Sequence, residues 1–237
     1  MLFRPEVSLV IPCFNEEARL QDAFNGAREA LALFNESSEV IFVDDGSTDR
    51  TASMLSEMIE GEPCFRLLRE PHRGKGGAIA AGVAASSKAI VLFADADWSM
   101  EPRESIKLLE ALKESEIAIA CREHSSSRRV DEPILRHLLG RAFNLLVRTV
   151  ALPGVDDSQC GFKAFRAPVA KGLFGGLERE GWAFDVEILA KARRLGHHIA
   201  TVPITWTHKA DTRLRFGVDS VGMAIDVVRI GLRHRRG

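Results

Sequence analysis

The sequence predicts an α/β fold in which a mostly parallel sheet is flanked by helices on both faces. Two observations predict it. Strand-like apolar runs alternate with helix-period runs from the start of the chain, a pattern that folds as right-handed β-α-β crossovers. The chain also has 237 residues, 46% of them apolar, enough for one substantial core.

The elements follow in order. Val7–Ile11 is a short apolar run ended by Pro12. Leu20, Ala23, Phe24, Ala27, Leu31 and Phe34 recur at helical spacing. Val40–Val43 reads as a buried strand, and Ser47 or Thr48 as the cap of a helix through Met54, Leu55 and Met58. Phe65–Leu68, a glycine-rich stretch into a helix at Ala78–Ala85, and a strand at Ala89–Ala94 continue the alternation. After Cys121 the texture changes. Residues 122–132 are polar, rich in Ser and Arg, and read as a mobile loop. A helix from Ile134 to about Val150 follows, then an irregular stretch with Asp156–Cys160. A helix over Phe184–Leu195, a strand over His198–Thr205 and an amphipathic segment from Val218 complete the chain. With no repeat and no low-complexity segment, one domain over residues 1–237 is expected.

Net charge is −1, so nothing global points to nucleic acid. Arg229, Arg233, His234, Arg235 and Arg236 make the end basic, which suits an anionic surface or a solvated terminus. Cys13, Cys64, Cys121 and Cys160 are scattered without a CxxC pair, and no secretory leader precedes the first strand. Reduced thiols in a cytoplasmic protein are expected. No apolar run reaches the roughly 18 residues of a membrane span.

Ligands of parallel sheets collect at the carboxyl ends of the strands, and three strands here end in acidic or amide-rich turns. Asp95-Ala96-Asp97 follows the strand at Ala89–Ala94. Its carboxylates are either ligands for Mg²⁺ or Mn²⁺, which take oxygen donors, or turn residues. Asp44-Asp45-Gly46-Ser47 can accept hydrogen bonds from a ribose or base; a helix cap explains all of it but Asp44. Pro12-Cys13-Phe14-Asn15-Glu16 is the third such turn. His72-Arg73-Gly74-Lys75-Gly76-Gly77 is neither a Walker loop nor a dinucleotide fingerprint, and reads equally as a structural turn or a donor-binding loop.

Together these segments resemble glycosyltransferase family 2, whose members share the GT-A fold. Val-Ile-Pro-Cys-Phe-Asn-Glu-Glu, Val-Asp-Asp-Gly-Ser-Thr-Asp, Gly-Lys-Gly-Gly-Ala and Asp-Ala-Asp stand in the family's order, over roughly residues 6–100. The resemblance implies that Pro12, Asn15, Glu16 and Asp44 hold the donor's base and ribose, with Lys75 beside them. It implies that Asp95, Ala96 and Asp97 meet the diphosphate, Asp95 and Asp97 binding Mg²⁺ or Mn²⁺. The block Asp157-Ser158-Gln159-Cys160-Gly161-Phe162-Lys163 is similar to one in dolichyl-phosphate glucosyltransferases, with Gln159 a substrate contact. Val202–Trp206 and Thr212-Arg213-Leu214 look like the segment that brings a basic residue to the diphosphate there. Arg136, Gly140 and Asn144 share one helical face that resembles the acceptor helix of lipid-phosphate transferases, where Arg136 would meet the acceptor phosphate.

What the resemblance implies is an inverting, metal-dependent transfer of a hexose, glucose favoured, from UDP-glucose to a polyprenyl or dolichyl phosphate. A polysaccharide hydroxyl as acceptor, and mannose from GDP-mannose, are the alternatives. Residues 1–121 would form the nucleotide-sugar half, 122–217 the acceptor half and 218–237 an amphipathic basic tail. Asp185 and Glu187 would face the acceptor, as a base or to orient hydroxyls, or be ordinary first-turn charges; Arg213 or Lys209 would close over the diphosphate. In place of the glutamine that mannose synthases often put two residues past the second Asp stands Ser99, preceded by Trp98. In the tail, Val218, Val221, Ile225, Val228 and Leu232 line one face, fitting either a helix lying in the membrane surface or one packed on the sheet. The expected place is the cytoplasm, peripheral at the inner face of the membrane. A silent nucleotide-sugar binder would lack the metal pair or the carboxylates after Trp182, and the broken glycine pattern argues against a nicotinamide dehydrogenase.

Overall fold

A computed structural model describes residues 4–209 and 218–234, without the side chains of residues 135, 136, 218–221 and 234. In chain order the elements are β1 (Val7–Cys13), α1 (Leu20–Leu33), β2 (Glu39–Asp45), α2 (Thr51–Met58), β3 (Phe65–Glu70), α3 (Lys75–Ala85), β4 (Ile90–Ala94), α4 (Glu104–Ala111) and β5 (Ile117–Cys121). Then come β6 (Arg128–Val130), α5 (Ile134–Val150), β7 (Phe162–Arg166), α6 (Ala167–Phe174), α7 (Phe184–Arg194), β8 (Ile199–Pro203), β9 (Thr205–Thr207) and α8 (Val218–His234).

Seven strands form one sheet in the order β3-β2-β1-β4-β7-β5-β8. All neighbours are parallel except β7, which runs antiparallel to both β4 and β5. The sheet is buried on both faces because successive side chains point to opposite sides. Leu9, Ile11, Phe42 and Leu92 pack with Phe24, Leu55 and Leu108 of α1, α2 and α4. Val10, Ile41, Val43 and Phe93 pack on the other side with Ile79, Val186, Leu189, Val227 and Ile230 of α3, α7 and α8.

Four expectations are corrected. The stretch 122–132 is not wholly loop, since β6 pairs in parallel with β9. The expected strand at His198–Thr205 is two strands, interrupted at Ile204. α3 begins at Lys75, three residues earlier than expected, after Gly74 at φ 97°. Ser47 and Thr48 do not cap α2. The Thr51 amide instead donates to Asp49 Oδ1 at 2.9 Å, and Ser47 and Thr48 bond to Asn15.

α8 packs on its neighbours by one face. Met223, Val227 and Ile230 are buried where the helix packs on α7 and α5, while Ile225, Val228 and Leu232 remain exposed.

Candidate active site

The register of the central strands brings the acidic turns to one rim. Cys13 lies opposite Asp44 in the β1–β2 pair, and Val10 opposite Phe93 in the β1–β4 pair. Just past that paired stretch, β1 ends at Cys13 and β4 at Ala94, so Asp95 leaves the sheet at the same carboxyl edge as residues 13–16. The donor-side turns and the Asp95-Ala96-Asp97 turn therefore share an edge, with Ala96 buried beneath it.

Side chains tie the first two turns together. Asn15, at φ 54°, donates its amide to Ser47 Oγ at 2.9 Å, and its Oδ1 accepts from the Thr48 amide at 2.8 Å. Glu16 is buried, and both its oxygens accept from the Arg19 guanidinium. The side chains of Asn15 and Glu16, expected to face the donor, are thus engaged within the rim; what they leave toward a nucleoside is shape and backbone. Asp44 is buried and accepts a long bond, 3.4 Å, from the Ser47 amide. Asp45 accepts the amides of Arg73 and Gly74, both at 2.9 Å, which anchors the loop before α3.

That loop's glycines have a packing explanation. A Cβ on Gly76 would lie 2.6 Å from the Phe184 Cβ, and one on Gly74 2.9 Å from the Glu180 carbonyl. They admit the segment leading into α7, and the Gly77 amide donates to the Glu180 carbonyl at 3.1 Å. Between those glycines Lys75 reaches the rim. Its Nζ pairs with Asp95 Oδ1 at 2.6 Å and lies 5.6 Å from the ring centre of Trp182. Burial disfavours this ammonium, but Asp95, Asp185 and Asp97 outweigh burial and hold its pKa above the ordinary value.

The second half reaches the same place through the block 157–163. Asp157 is fully buried and accepts three bonds from Arg122, from its amide, Nε and Nη2, at 2.7–2.9 Å. Burial pushes this carboxyl up, yet Arg122 overcomes it and holds the pKa at about 2. Gly161 lies against Asp95, since a Cβ there would sit 2.0 Å from Asp95 Oδ2. Gln159 is half-buried; its amide donates to Asp157 Oδ1 at 3.2 Å. Lys163 has no exposed surface; its ammonium donates to Asp185 Oδ1 at 2.5 Å and the Cys160 carbonyl at 2.6 Å. Burial raises the Asp185 pKa against the opposing pull of Lys163 and Lys75.

Asp185 thus joins Asp95, Asp97 and Lys75 in one electrostatic cluster. Glu187 does not. Its two oxygens accept the amides of Glu178 and Arg179 at 2.9 and 2.7 Å, so this carboxylate anchors a loop, a correction to its expected place facing the acceptor. Trp98 is turned away from the site, its Nε1 donating to the Ala23 carbonyl at 2.9 Å. The Ser99 amide donates to Asp97 Oδ1 at 2.9 Å and helps orient it. Lys209 is exposed. Arg213 lies outside the described residues, and the Arg136 side chain outside the described side chains.

The pair Asp95 and Asp97 fits a hard divalent cation. Both are oxygen donors in one turn, and the Lys75 ammonium 2.6 Å from Asp95 Oδ1 shows that this carboxylate already faces a cation. No group of three His, Cys, Asp or Glu able to hold a metal occurs among the described residues, so protein would supply part of the shell, as is usual for Mg²⁺. Two contributors escaped the sequence reading. Arg122 directly follows the apolar strand Ile117–Cys121, and Lys163 stands between Phe162 and Ala164 in a strand whose other charge, Arg166, ends it; a charge set among apolar residues was the available signal.

Comparison with known proteins adds independent findings. The family model described as Glycosyl transferase family 2 matches residues 8–174. A dolichyl-phosphate beta-glucosyltransferase of Dictyostelium discoideum is 35% identical over 251 residues, covering 98% of this chain and 75% of that protein. Its human counterpart is 33% identical, covering 98% and 76%, and that of Saccharomyces cerevisiae 31%, covering 98% and 75%. Among solved structures, glucosyl-3-phosphoglycerate synthase from Mycobacterium tuberculosis with Mn²⁺, UDP-glucose and phosphoglyceric acid superposes with a TM-score of 0.70 at 22% identity, covering 97% of this chain and 79% of that one. At that identity the likeness speaks for the fold.

Proposed function

The chain belongs to glycosyl transferase family 2, and from that premise we propose that this glycosyltransferase moves glucose from UDP-glucose to a polyprenyl or dolichyl phosphate with inversion at the anomeric carbon. The observation that carries the proposal is the gathering of Asp95, Asp97, Lys75 and Asp185 at one rim, with both halves of the chain contributing. The acceptor is favoured by the relatives named dolichyl-phosphate beta-glucosyltransferase, and UDP-glucose by its presence in a structural neighbour.

The chemical problem is charge. The acceptor phosphate oxygen attacks the anomeric carbon from the face opposite the diphosphate, the bond from that carbon to the diphosphate oxygen breaks, and the nucleoside diphosphate leaves with one more negative charge. Asp95 and Asp97 would hold Mg²⁺ or Mn²⁺, which when bound stabilises that charge. Lys75 stands against Asp95 to complement it, and Arg213, outside the described residues, is the proposed second cation. A phosphate monoester, with a second pKa near ~6, is already largely dianionic at neutral pH, so no base has to remove a proton. Asp185 then serves to orient the sugar's hydroxyls. Arg136 and Gln159 are the proposed contacts to the acceptor, and Pro12, Asn15, Glu16 and Asp44 shape the nucleoside pocket.

A lipid acceptor calls for contact with a membrane surface. No helix among the described residues is long and apolar enough to cross a bilayer. Of the eight exposed large apolar side chains among the described residues, seven lie on α5 and α8. Ile134, Leu138 and Leu145 share one stripe of α5 with Arg141 and Arg148, and α5 has no acidic residue. Ile225, Val228 and Leu232 form the corresponding stripe of α8. This composition favours peripheral binding at an anionic inner leaflet, with arginine stems lying along the apolar surface.

The test is to incubate the protein and Mg²⁺ or Mn²⁺ with a panel of nucleotide sugars and a short polyprenyl phosphate, and to identify the product and its anomeric configuration. A β-glucosyl lipid formed from UDP-glucose is expected. Transfer only to sugar hydroxyls, or only from GDP-mannose, would overturn the reading. For the surface, flotation with anionic vesicles is expected for the intact chain and lost when Ile225, Val228 and Leu232 are all replaced by Ser.

A further inference from the structure

Lys163 sits where a lysine is poorly placed for stability. It lies mid-sheet on β7, opposite Phe93 on one side and Ile119 on the other, with no exposed surface. Its ammonium is 5.3 Å from the Phe93 ring centre. Taking a charge out of water costs several kcal/mol, and a buried ion pair is often no more stabilising than apolar residues of the same volume. A methionine would fill the same channel without that cost. The cation's contacts, not its bulk, distinguish it.

Those contacts join the two parts of the site. One is Asp185 Oδ1, at 2.5 Å, in the first turn of α7. The other is the Cys160 carbonyl, at 2.6 Å, immediately before the glycine whose backbone is pressed against Asp95. A single ammonium therefore bonds both to the acceptor-side carboxylate and to the segment that abuts the donor-side carboxylate. Lys75 cannot substitute for it, because its Nζ is engaged by Asp95 at 2.6 Å.

We propose that Lys163 is a positioning residue that sets the spacing between Asp185 and Asp95, and through it the alignment of the acceptor-side group with the donor sugar. The proposal rests on the reading of Asp185 as a site carboxylate. Lys163 touches neither substrate; it acts through the two groups its ammonium holds. Misplacement of a reacting group by about 1 Å costs on the order of 10²-fold in rate, and that is the loss expected when the ammonium is removed.

The experiment compares the full-length protein with Lys163→Met, Lys163→Arg, Asp185→Asn and the double variant Lys163→Met/Asp185→Asn, using radiolabelled donor so that residual rates are measurable. Lys163→Met is expected to lower kcat by about 10²-fold while the donor KM changes by less than about threefold, and Lys163→Arg to recover part of the loss. In the Asp185→Asn background, Lys163→Met is expected to bring no further loss, because the group it positions is already disabled. A wild-type kcat for Lys163→Met, or losses that multiply in the double variant, would overturn the proposal. Should Lys163→Met alone fail to fold, the double variant, which removes both buried charges, is compared with Asp185→Asn, and the same two outcomes decide. A wild-type rate for Asp185→Asn itself would instead dismiss the role given to Asp185.

Discussion

Between Cys13 and Gly74 the rim is held by side chains bonded to backbone. Asn15 reaches Thr48, Ser47 reaches Asn15, and Asp45 holds Arg73 and Gly74. Between Arg122 and Asp185 the joints are buried ion pairs, Arg122 with Asp157 and Lys163 with Asp185. The first kind of joint links residues about 30 apart and needs only short polar side chains near a turn. The second brings together residues 35 and 22 apart, no nearer in sequence, but sets charge against charge in the interior. One region is thus held by single hydrogen bonds at turns and the other by buried ion pairs, so the two should fail differently when perturbed.

The largest effect is expected where the two sides meet. Asp95→Asn should lower transfer by about 10³-fold, the upper range for loss of a group that stabilises developing charge, while the unfolding temperature stays within a few degrees. A steady-state assay with and without added Mn²⁺ checks this; unchanged turnover would remove Asp95 from the site.

On the acceptor side the cost should appear in stability. Arg122→Met leaves Asp157 buried and unpaired, which destabilises by about 3–5 kcal/mol, read from urea unfolding at neutral pH. The pH dependence has a definite sign. The Asp157 pKa is lowered in the folded state, to about 2, so its contribution is present above the unfolded carboxylate value near ~3.9 and is lost as pH falls toward the folded one. The wild type should lose stability steeply between about pH 4 and about pH 2, and Arg122→Met should lack that step.

Gly161→Ala is a smaller perturbation at the seam. The added Cβ would displace the Asp95 carboxylate, and the Mn²⁺ concentration needed for half-maximal rate should rise by about tenfold, as for other changes in groups supporting metal ligands. Smallest is Asn15→Ala, which removes acceptor contacts to the 48–49 backbone and should cost about 1 kcal/mol with kcat within a few-fold of wild type. A loss at Asn15 as large as that at Arg122 would erase the contrast between the two regions.

The same contrast explains what could be read from the sequence. The strands β1 to β4, the acidic turns and the helices at 20–33 and 134–150 were legible because periodicity and turn chemistry are local signals. The strand β7 and its antiparallel insertion were not, since Phe162–Arg166 carries two charges in five residues, unlike its neighbours in the sheet, and nothing local fixes its direction. Glu187 looked equivalent to Asp185 because both follow Trp182 at the head of a helix; only the position of the Glu178 and Arg179 amides separates them. The glycines around Lys75 read equally as a structural turn or a donor-binding loop, and only the packing of Glu180 and Phe184 against them shows what their want of side chains serves. Asn15 and Glu16 were placed at the right edge, but their internal partners lie in a different turn or along the following helical turn.

The insertion of β7 between β4 and β5 has a consequence for motion. Enzymes built as two lobes adjust the distance between their reacting groups by swinging about a hinge. Here the strand that carries Lys163 is hydrogen-bonded directly to the strand that leads into Asp95, so both ride on the same plank. The reach between them is a fixed dimension of the sheet, and admission of one substrate and departure of the other fall to the segments that lie over its edge.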